Sequence, residues 1–386
     1  MKIYKLNRDI NLYNLLESIG VDKAGIAIMQ KKISEFVFYI KDIKCGGANI
    51  LKQDALSIGA ELAVPVGVPN CKSEISDAVL LCNKKQLEIL INKEISQPFG
   101  LKSLAKQLKE FLNFPEYPLK IMGVVNANDD SFFEGSRFHG KEAVKQIEKM
   151  IDEGAGIIDI GGVSSRPGSV YPGAREELKR VKPIIDEIYA SKLYEKAIFS
   201  IDTFKSEVLE YALDRGFKIA NDITGLESDE YAKVVSKYGA CVVIMHKKGI
   251  PENMQNNPYY ENVILEVDEF FGERIQKAKS FGIKEIVLDV GIGFGKRLED
   301  NIALIKHMEH FLHFGYELLI GASRKSMIDV IMQKEGISIA PADRLPGTLV
   351  IHAEAVRNGA SIVRCHDVKE HFQALKVFEA IREFDV

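Results

Sequence analysis

The sequence contains few cysteines, and none of them stands in a Cys-x-x-Cys pair. The five cysteines lie at positions 45, 71, 82, 241 and 365. An odd, scattered set of this kind supports neither a disulfide framework nor a zinc site. We therefore expect reduced thiols, and we expect Cys45, which precedes two glycines, to be a packing residue rather than a reactive one.

Long apolar runs and blocks of like charge are also missing. No run is long enough to span a bilayer, and the first ten residues lack the apolar core of a signal peptide. The 51 basic and 55 acidic residues give a net charge of −4, which argues against a nucleic-acid surface. Because 46% of the residues are apolar, a large core is possible. These features predict a soluble cytoplasmic protein without a nucleic-acid or membrane partner.

Two common phosphate-binding motifs are excluded by spacing. Residues 286–296 read Ile-Val-Leu-Asp-Val-Gly-Ile-Gly-Phe-Gly-Lys. Lys296 holds the place of the last glycine of a dinucleotide fingerprint, and a P-loop would need glycine at Val290. What is present is a short apolar strand that ends in Asp289 and continues into three glycines. Since glycine lets the backbone approach a ligand closely, this pattern is typical of a pocket floor.

Residues 1–115 form a first region, in which we predict a small α/β module of unknown role. Strands are predicted at 34–41 and 77–82, and helices at 53–62, 84–91 and 101–112. The region carries no catalytic constellation, and we expect it to serve assembly or stability. Two prolines in residues 114–118 predict a linker, because they interrupt a helix.

Residues 119–386 alternate apolar runs of strand length with amphipathic runs of helix length. The predicted strands are 120–126, 156–161, 197–202, 218–222, 241–246, 286–290, 317–322 and 361–366, with helices in the gaps such as 140–153, 176–189, 300–313 and 344–358. Eight such pairs predict a (β/α)8 TIM barrel. A doubly wound open sheet is the competing fold. The barrel is favoured because polar residues end nearly every strand rather than gathering at one switch point.

The polar strand ends predict a single pocket, since the carboxyl ends of barrel strands meet at one mouth. In order they carry Asn126, Asp159, Asp202, Asn221 with Asp222, Met245 with His246, Asp289, Ser323 to Lys325, and Arg364 with His366. Some polar residues in such places only cap the following helix, and Asp222 and Ser323 are as well explained in that way. Helix capping does not account for the lysine, arginine and histidine.

The residue types indicate two kinds of contact. Asp202, Asn221 and Asp289 suit a flat heterocycle with N–H groups along one edge, although a pair of catalytic carboxylates is an alternative. Arg364 and His366 lie on one face of a strand and suit an anion, although a salt bridge to Asp367 would also explain them. The loops at 126–132 and 164–168 are either mobile lids or ordinary surface loops.

Several motifs together resemble those of the dihydropteroate synthases, which are pterin-binding enzymes. They stand in the order found in that family, over about residues 119–384. The motifs are Ile-Met-Gly-Val-Val-Asn at 121–126, Asp-Ile-Gly-Gly-Val-Ser-Ser-Arg-Pro-Gly at 159–168, Ser-Ile-Asp-Thr at 200–203, Ala-Asn-Asp-Ile at 220–223, Leu-Asp-Val-Gly-Ile-Gly-Phe-Gly-Lys at 288–296, Gly-Ala-Ser-Arg-Lys-Ser at 321–326 and Val-Arg-Cys-His-Asp-Val at 363–368. Each motif is weak alone, and together they are specific.

The resemblance implies a transferase of folate biosynthesis. p-Aminobenzoate would displace pyrophosphate from 6-hydroxymethyl-7,8-dihydropterin diphosphate to give 7,8-dihydropteroate, and sulfonamides would compete with p-aminobenzoate. By family position, the pterin would be held by Asp202, Asn221, Met245, Asp289, Phe294 and Lys325; the diphosphate by Asn126, Arg364 and His366; and p-aminobenzoate by Phe132, Ser165, Arg166, Pro167 and Ser326. Asn126 would bind Mg2+, and a homodimer through barrel helices is implied.

The implied chemistry needs no protein nucleophile. Loss of pyrophosphate leaves positive charge on the pterin methylene, which the Asp202 carboxylate favours electrostatically. Lys325, Arg364 and His366 complete the catalytic set, with Arg364, His366 and Mg2+ stabilising the departing anion. On this reasoning, Arg364 contacts the diphosphate and contributes little to binding of the pterin ring.

The sequence also departs from the family pattern. Ala127, Asn128 and Asp129 replace Val, Thr and Pro of the first loop; Val163 replaces an acid, Ser165 a threonine, and Val290 a proline. The altered first loop leaves open a catalytically inactive pterin-binding paralogue. A methyltransferase that uses methyltetrahydrofolate is a second alternative, but it would not need the Ser-Arg-Pro-Gly loop or the Arg-x-His pair.

Overall fold

The computed structural model describes residues 3–4, 6, 10–127, 141–163, 169, 171–249 and 254–384. The chain divides into two compact units. The first consists of Met1–Phe114 and Glu379–Val386, and the second of Pro115–Phe378. Among the described residues, no helix is both long enough and apolar enough to cross a membrane.

The N-terminal unit is a three-stranded antiparallel sheet with helices. Its elements are α1 (Leu12–Ser18), α2 (Lys23–Ile33), β1 (Glu35–Lys44), α3 (Cys45–Ser57), β2 (Glu61–Ala63), β3 (Ile75–Asn83), α4 (Lys84–Glu94) and α5 (Leu101–Glu110). The strand order is β1-β3-β2. Leu51, Leu80, Leu87 and Leu90 are fully buried and form the centre of its core. The predicted small α/β module is therefore confirmed.

The prediction of a helix over 53–62 was wrong at both ends, because α3 already begins at Cys45. The helix α3 stops at Ser57, and Gly59 has φ +74°, a left-handed conformation that turns the chain into β2. The helices α1 and α2 were not predicted. Their first turns are capped by Asn11 and Asp22, but α1 contains no buried residue and α2 buries only Ile26. Because so few of their residues are buried, the two helices have only a weak apolar repeat, and the sequence pattern does not reveal them.

The cysteines of the N-terminal unit also differ from expectation. Cys45 and Cys71 form a disulfide, with their Cα atoms 5.7 Å apart. Cys45 is therefore not simply a packing residue. The pair is 26 residues apart in sequence, and only the fold of the unit brings the two side chains together. Cys82, Cys241 and Cys365 are free.

The second unit is a closed barrel of eight parallel strands. They are β4 (Lys120–Asn126), β5 (Ile157–Gly161), β6 (Ile198–Asp202), β7 (Ile219–Asp222), β8 (Cys241–Met245), β9 (Ile286–Asp289), β10 (Glu317–Ile320) and β11 (Ile362–Cys365). Neighbours in the chain are neighbours in the sheet, and β11 pairs with β4 to close it. The predicted TIM barrel is confirmed, and each strand lies within two residues of its predicted bounds.

The helices of the barrel are α6 (Lys141–Asp152), α7 (Ala174–Ala190), α8 (Ser206–Leu213), α9 (Asp229–Tyr238), α10 (Val263–Ser280), α11 (Leu298–Lys306), α12 (Ser326–Gln333), α13 (Leu345–Arg357) and α14 (Val368–Glu383). The helix predicted at 300–313 is two elements, because α11 ends at Lys306 and a 3-10 segment, Met308–Phe314, follows. The helix predicted at 344–358 corresponds to α13.

The inside of the barrel is closed by an apolar layer. Seven strands contribute one side chain each: Met122, Ile157, Ile219, Val243, Val287, Leu319 and Ile362. A separate and larger core lies between the strands and the helices. Because side chains alternate along a strand, residues two positions beyond this layer also point inward, one level closer to the mouth. This apolar layer, called the floor below, thus lies directly beneath the level that carries the functional residues.

Candidate active site

The level above the floor carries polar side chains from several strands. Two positions beyond the floor residues lie Val124, Asp159, Asn221, Met245, Asp289, Gly321 and Arg364. Asp202, the last residue of β6, pairs in register with both Gly161 and Asn221. The barrel therefore collects three carboxylates, an amide and a guanidinium over an apolar floor.

Arg364 is the centre of this group. Its Nε donates to Asp159 Oδ2 at 2.8 Å, and one Nη donates to Asp202 Oδ2 at 2.9 Å. Asn221 donates from Nδ2 to the same Asp159 oxygen at 3.0 Å. Asp159 is fully buried, and its Oδ1 has no hydrogen-bond partner among the described residues. One guanidinium thus compensates two carboxylates that belong to neighbouring strands.

Burial and charge act in opposite directions on the pKa values of Asp202 and Arg364. Burial raises the pKa of Asp202 to about 7, although Arg364 opposes the rise. Burial also opposes the charge on Arg364, but Asp159 and Asp202 outweigh it and raise its pKa. His366 is driven the other way, because burial and then the Arg364 charge lower its pKa to about 4. At neutral pH His366 is therefore uncharged beside a charged arginine.

The loop after β9 is held against the end of β8 by close backbone contacts. Gly291 and Gly295 have φ of +65° and +63°, and a Cβ on them would lie 1.9 Å from His246 O and 2.1 Å from Lys248 O. Asp289 Oδ1 accepts from Gly291 N at 2.8 Å. Both glycines are required by this approach as well as by their backbone conformation.

Lys296 holds the same loop in place with hydrogen bonds to its backbone. Its side chain is buried and donates to the carbonyls of His246, Gly291 and Phe294 at 3.2, 2.9 and 3.2 Å. Burial lowers its pKa to about 7, while Asp289 favours the charged form. The lysine therefore fixes the backbone on which Phe294 is carried.

We expect Gly291→Ala to lower the free energy of unfolding by about 3 kcal/mol or more, because the new Cβ would overlap the His246 carbonyl. Gly239→Ala is the matched control. Gly239 also has a positive φ, +60°, but a Cβ there would meet nothing within 4 Å, so its cost is only about 1–2 kcal/mol. Urea unfolding of both variants measures the difference. Equal losses would contradict the close approach of the two loops.

Lys325 and Phe294 form the side of the mouth between β9 and β10. The Lys325 amine lies 4.5 Å from the centre of the Phe294 ring and donates to the Ile292 carbonyl. Burial lowers the pKa of Lys325 to about 8, and Asp289 opposes the change. Burial raises the pKa of Asp289, which Lys325 opposes. Ser326 follows as the exposed first residue of α12.

The ends of β10 and β11 are joined by an extensive polar network. Arg324 makes two hydrogen bonds to the Asp367 carboxylate, at 2.9 and 2.6 Å. Ser323 Oγ lies 2.9 Å from His366 Nδ1. These contacts fix His366 relative to the Ser323–Lys325 turn.

Two buried histidines extend the network. Ala322 N donates to His352 Nε2 at 3.0 Å, so His352 carries its proton on Nδ1 and donates to His371 Nε2 at 2.8 Å. His371 Nδ1 then donates to the Asp367 carbonyl at 2.6 Å. Burial lowers the pKa of both histidines, in agreement with this neutral chain. The relay connects the backbone at the ends of the two strands that carry Lys325 and Arg364.

Comparison with known proteins agrees with this arrangement. Residues 122–366 match the family model described as "Pterin binding enzyme". The chain is 42% identical over 386 residues to a bifunctional dihydropteroate synthase/dihydropteroate reductase of Helicobacter pylori, with 100% of both chains covered. The chain belongs to the pterin-binding enzymes. Within them it is a dihydropteroate synthase, a transferase, as the sequence predicts.

Two solved dihydropteroate synthases resemble the barrel. The Yersinia pestis enzyme, in a sulfonamide drug complex, is 34% identical with a TM-score of 0.65, covering 69% of this chain and 95% of that one. The Xanthomonas albilineans enzyme with 4-aminobenzoic acid is 34% identical with a TM-score of 0.62, covering 69% and 94%. The remaining part of this synthase has no counterpart in those two chains.

Most predicted site residues of this synthase do come together at the barrel mouth. Asp202, Asn221, Asp289 and Arg364 stand above the floor, with Met245 paired to Asp289 in register. Asn126 ends β4 beside Gly161. Phe294, Lys325 and His366 lie on the loops that follow β9, β10 and β11, and Ser326 begins α12. Phe132, Ser165, Arg166 and Pro167 lie outside the described residues.

Two other strand-end residues have structural contacts. Asp222 accepts from Thr224 N and Leu226 N at 2.7 and 2.8 Å, so it shapes the turn after β7. The His246 ring packs against Phe270 and Tyr260, and burial lowers its pKa to about 2.

Asp159 is a site residue whose role was not predicted from the sequence. It was recognised only as the polar end of a strand, yet it binds both Arg364 and Asn221. The alternation of inward and outward side chains along β5 indicates that Asp159 points into the barrel, because it lies two positions after the apolar Ile157 and shortly before two glycines.

Proposed function

We propose that this chain condenses 6-hydroxymethyl-7,8-dihydropterin diphosphate with p-aminobenzoate and releases pyrophosphate. The observation that carries the proposal is the set of Asp159, Asp202, Asn221 and Arg364 above a closed apolar floor. A flat, nitrogen-rich ring fits there, since carboxylates and an amide can accept from its N–H groups while the floor covers one side.

The pterin would be held by Asp202, Asn221, Asp289 and Lys325. Met245 and Phe294 would pack on the ring. Asp202 ends β6 and Asp289 ends β9, and each is largely buried beside a cation. Such paired charges are already oriented before substrate arrives, which lowers the reorganisation that binding and reaction require.

The diphosphate would be met by Asn126, Arg364 and His366. Arg364 uses Nε and one Nη for carboxylates, and its other Nη is the atom suited to a phosphoryl oxygen. During reaction the amine nitrogen forms a bond to the pterin methylene as the carbon–oxygen bond breaks. One amine proton is lost, and the electron pair leaves with pyrophosphate. Asp202 favours the positive charge on the methylene at that stage.

Mg2+ is proposed as the cofactor because the donors near Asn126 are oxygens. Asn126 Oδ1 and Asp202 Oδ2 lie 3.6 and 3.8 Å from the place that a Cβ would occupy on Gly161. Magnesium prefers carboxylate, amide and phosphate oxygens. Asn126 would hold the ion together with the diphosphate, and the bound ion would neutralise charge on the leaving group.

p-Aminobenzoate would bind at the edge of the mouth. Ser326 is exposed at the start of α12, next to Lys325, and Phe132, Ser165, Arg166 and Pro167 would supply the rest of this site. The solved Xanthomonas albilineans relative contains 4-aminobenzoic acid, and the Yersinia pestis relative a sulfonamide. We therefore expect sulfonamides to compete with p-aminobenzoate here as well.

Release of pyrophosphate that depends on p-aminobenzoate tests this function. The purified chain is mixed with pterin diphosphate and Mg2+, and pyrophosphate is measured with and without the amine. We expect stoichiometric dihydropteroate. Pterin binding without pyrophosphate release would instead identify an inactive pterin-binding protein, and methyl transfer from methyltetrahydrofolate would identify the methyltransferase.

A homodimer is proposed through the barrel helices. Val330 and Ile331 on α12, Val350 on α13 and Val377 on α14 are exposed apolar side chains, which a protein contact would cover. Size-exclusion chromatography coupled to light scattering measures the mass of the chain in solution. A monomer at all concentrations would refute the dimer.

A cytoplasmic location is proposed from the substrate. A charged pterin diphosphate does not cross a bilayer unaided, so the enzyme must share the compartment in which that substrate is made. Cell fractionation tests this, and recovery of the protein in a secreted fraction would exclude it.

A second activity, reduction of dihydropteroate, is favoured by one observation. The Helicobacter pylori relative that covers the whole chain is named for both a synthase and a reductase. We propose that this chain also adds hydride to C6 of dihydropteroate and a proton to N5, with a reduced nicotinamide or reduced flavin as the donor.

The assay is loss of the reduced donor on addition of dihydropteroate to the full chain. A truncated chain that starts at Glu116 separates the two activities, and we expect it to keep synthesis and lose reduction. Oxidation of the donor that does not depend on dihydropteroate would refute the reductase. Loss of both activities on truncation would support the assembly or stability role of the N-terminal unit instead.

A further inference from the structure

Three potential metal ligands converge in the helical layer outside the barrel. His310 and His313 belong to the 3-10 segment Met308–Phe314, and Asp268 belongs to α10. Their ligand atoms all lie within 4.8 Å of one another. None of these residues is at the carboxyl end of a strand, so the group is distinct from the catalytic mouth.

The backbone explains why two imidazoles face one carboxylate. A 3-10 helix has three residues per turn, so side chains three positions apart lie on the same side. His310 and His313 are spaced in this way. Their Nε2 atoms lie 3.0 and 2.6 Å from the same oxygen, Asp268 Oδ1. In an α-helix, residues three positions apart are rotated by about 60° around the helix axis, so the two rings would be less closely aligned.

The surroundings combine a packed side with an open side. The His313 ring lies 4.0 Å from the Phe314 ring, and the His310 ring 5.2 Å from the Phe311 ring. Phe271 of α10 packs against both phenylalanines. The side chains of Asp268 and His310 remain 31% and 26% exposed. The packed rings limit movement of the histidines, while the open side admits an ion with its water.

We propose that Asp268, His310 and His313 form a binding site for Zn2+ or a similar divalent transition metal, which clamps α10 to the 3-10 segment. Two imidazoles and a carboxylate, with a water as the fourth ligand, are a donor set that zinc accepts and that magnesium does not favour.

The two histidine–aspartate distances require only a small adjustment. Tetrahedral coordination at metal–ligand distances of about 2.1 Å places neighbouring ligand atoms about 3.4 Å apart. The present histidine–aspartate distances of 3.0 and 2.6 Å would therefore increase by less than an ångström.

The test uses the full-length chain after removal of metals by chelation. Zn2+ is titrated by calorimetry, and Co2+ by its visible absorption, which reports a tetrahedral site and reveals any thiolate ligand. We expect one ion per chain, without thiolate bands, and a rise in Tm on addition of Zn2+. Excess Mg2+ should not displace the ion.

Variants decide whether these side chains are the ligands. His310→Ala/His313→Ala and, as a milder change, Asp268→Asn should each weaken binding by about 100-fold or more and abolish the Zn2+-dependent rise in Tm. His307→Gln is the matched control, since it removes an exposed histidine just before the same segment. Its affinity should be unchanged.

Synthase turnover without added Zn2+ should be the same in all of these variants, which shows that they fold. Equal affinity in the wild type and the double variant would overturn the proposal. So would an equal loss in His307→Gln, or thiolate bands in the Co2+ spectrum.

Discussion

Asp202→Asn is expected to slow pyrophosphate release by about 10²–10³-fold, comparable to the loss of one group that stabilises transition-state charge. Asparagine has the same shape and still accepts from Arg364, so the pocket is retained. It lacks the negative charge that favours the cationic methylene. The measurement is kcat for p-aminobenzoate-dependent release at saturating Mg2+. Near-normal turnover would remove Asp202 from the mechanism.

The same variant has a second expected result, in stability. Because the folded pKa of Asp202 is raised to about 7, the folded state holds its proton more tightly than the unfolded state. The contribution of Asp202 to stability is therefore present at low pH and is lost as pH rises through about 7. Relative to the wild type, Asp202→Asn should gain stability between pH 5 and pH 8 in urea unfolding. A constant difference would contradict the raised pKa.

Asp222→Asn is the control for the turnover result. Asp222 is also a buried carboxylate at a strand end, but it accepts from the turn at Thr224 and Leu226. We expect it to lose about 1–2 kcal/mol of stability while keeping turnover within a few-fold. A loss of turnover as large as that of Asp202→Asn would mean that the assay reports folding rather than chemistry.

The barrel was predictable because its signals are local. Each buried parallel strand is a short apolar run, and the polar residue that ends it marks the turn toward the mouth. The alternation of side chains along each strand then identifies those that point into the barrel, such as Ile157 and Asp159 on β5. The same reasoning places Asn221 and Arg364 two positions beyond Ile219 and Ile362.

The partners within the site were not predictable in the same way. Arg364 is separated by 205 residues from Asp159 and by 162 from Asp202. Its motif indicated an anion, and nothing in the local sequence indicates that its guanidinium faces two carboxylates. Only the closure of the barrel, in which β11 pairs with β4, brings these strands together.

The same limit applies outside the site. The disulfide between Cys45 and Cys71 depends on how the N-terminal unit folds. The alignment of His310 with His313 depends on a 3-10 segment where the sequence predicted a continuous α-helix. In both cases the chemistry is set by backbone geometry that residue types alone do not fix.

Arg364→Gln is expected to have the largest effect on stability, with a loss of about 3–5 kcal/mol, because removing one partner of a buried ion pair leaves the others uncompensated. Here two carboxylates lose the same cation, and the Arg364 side chain is only 24% exposed. Turnover should fall by about 10²–10³-fold. From its motif alone, only diphosphate binding would suffer. Since the charge of Arg364 favours the ionised form of Asp202, we expect binding of the free pterin to weaken too.

A double variant separates the two roles of Arg364. Arg364→Gln/Asp159→Asn removes one carboxylate together with the cation, so the remaining charges are better balanced. We expect it to recover about 1–3 kcal/mol of the lost stability, which is a coupling typical of contacting residues. Turnover should stay low, because no guanidinium is present to bind the diphosphate. Additive losses in urea unfolding would show that Arg364 and Asp159 do not interact. Recovered turnover would show that Arg364 acts only through the carboxylates and does not bind the leaving group.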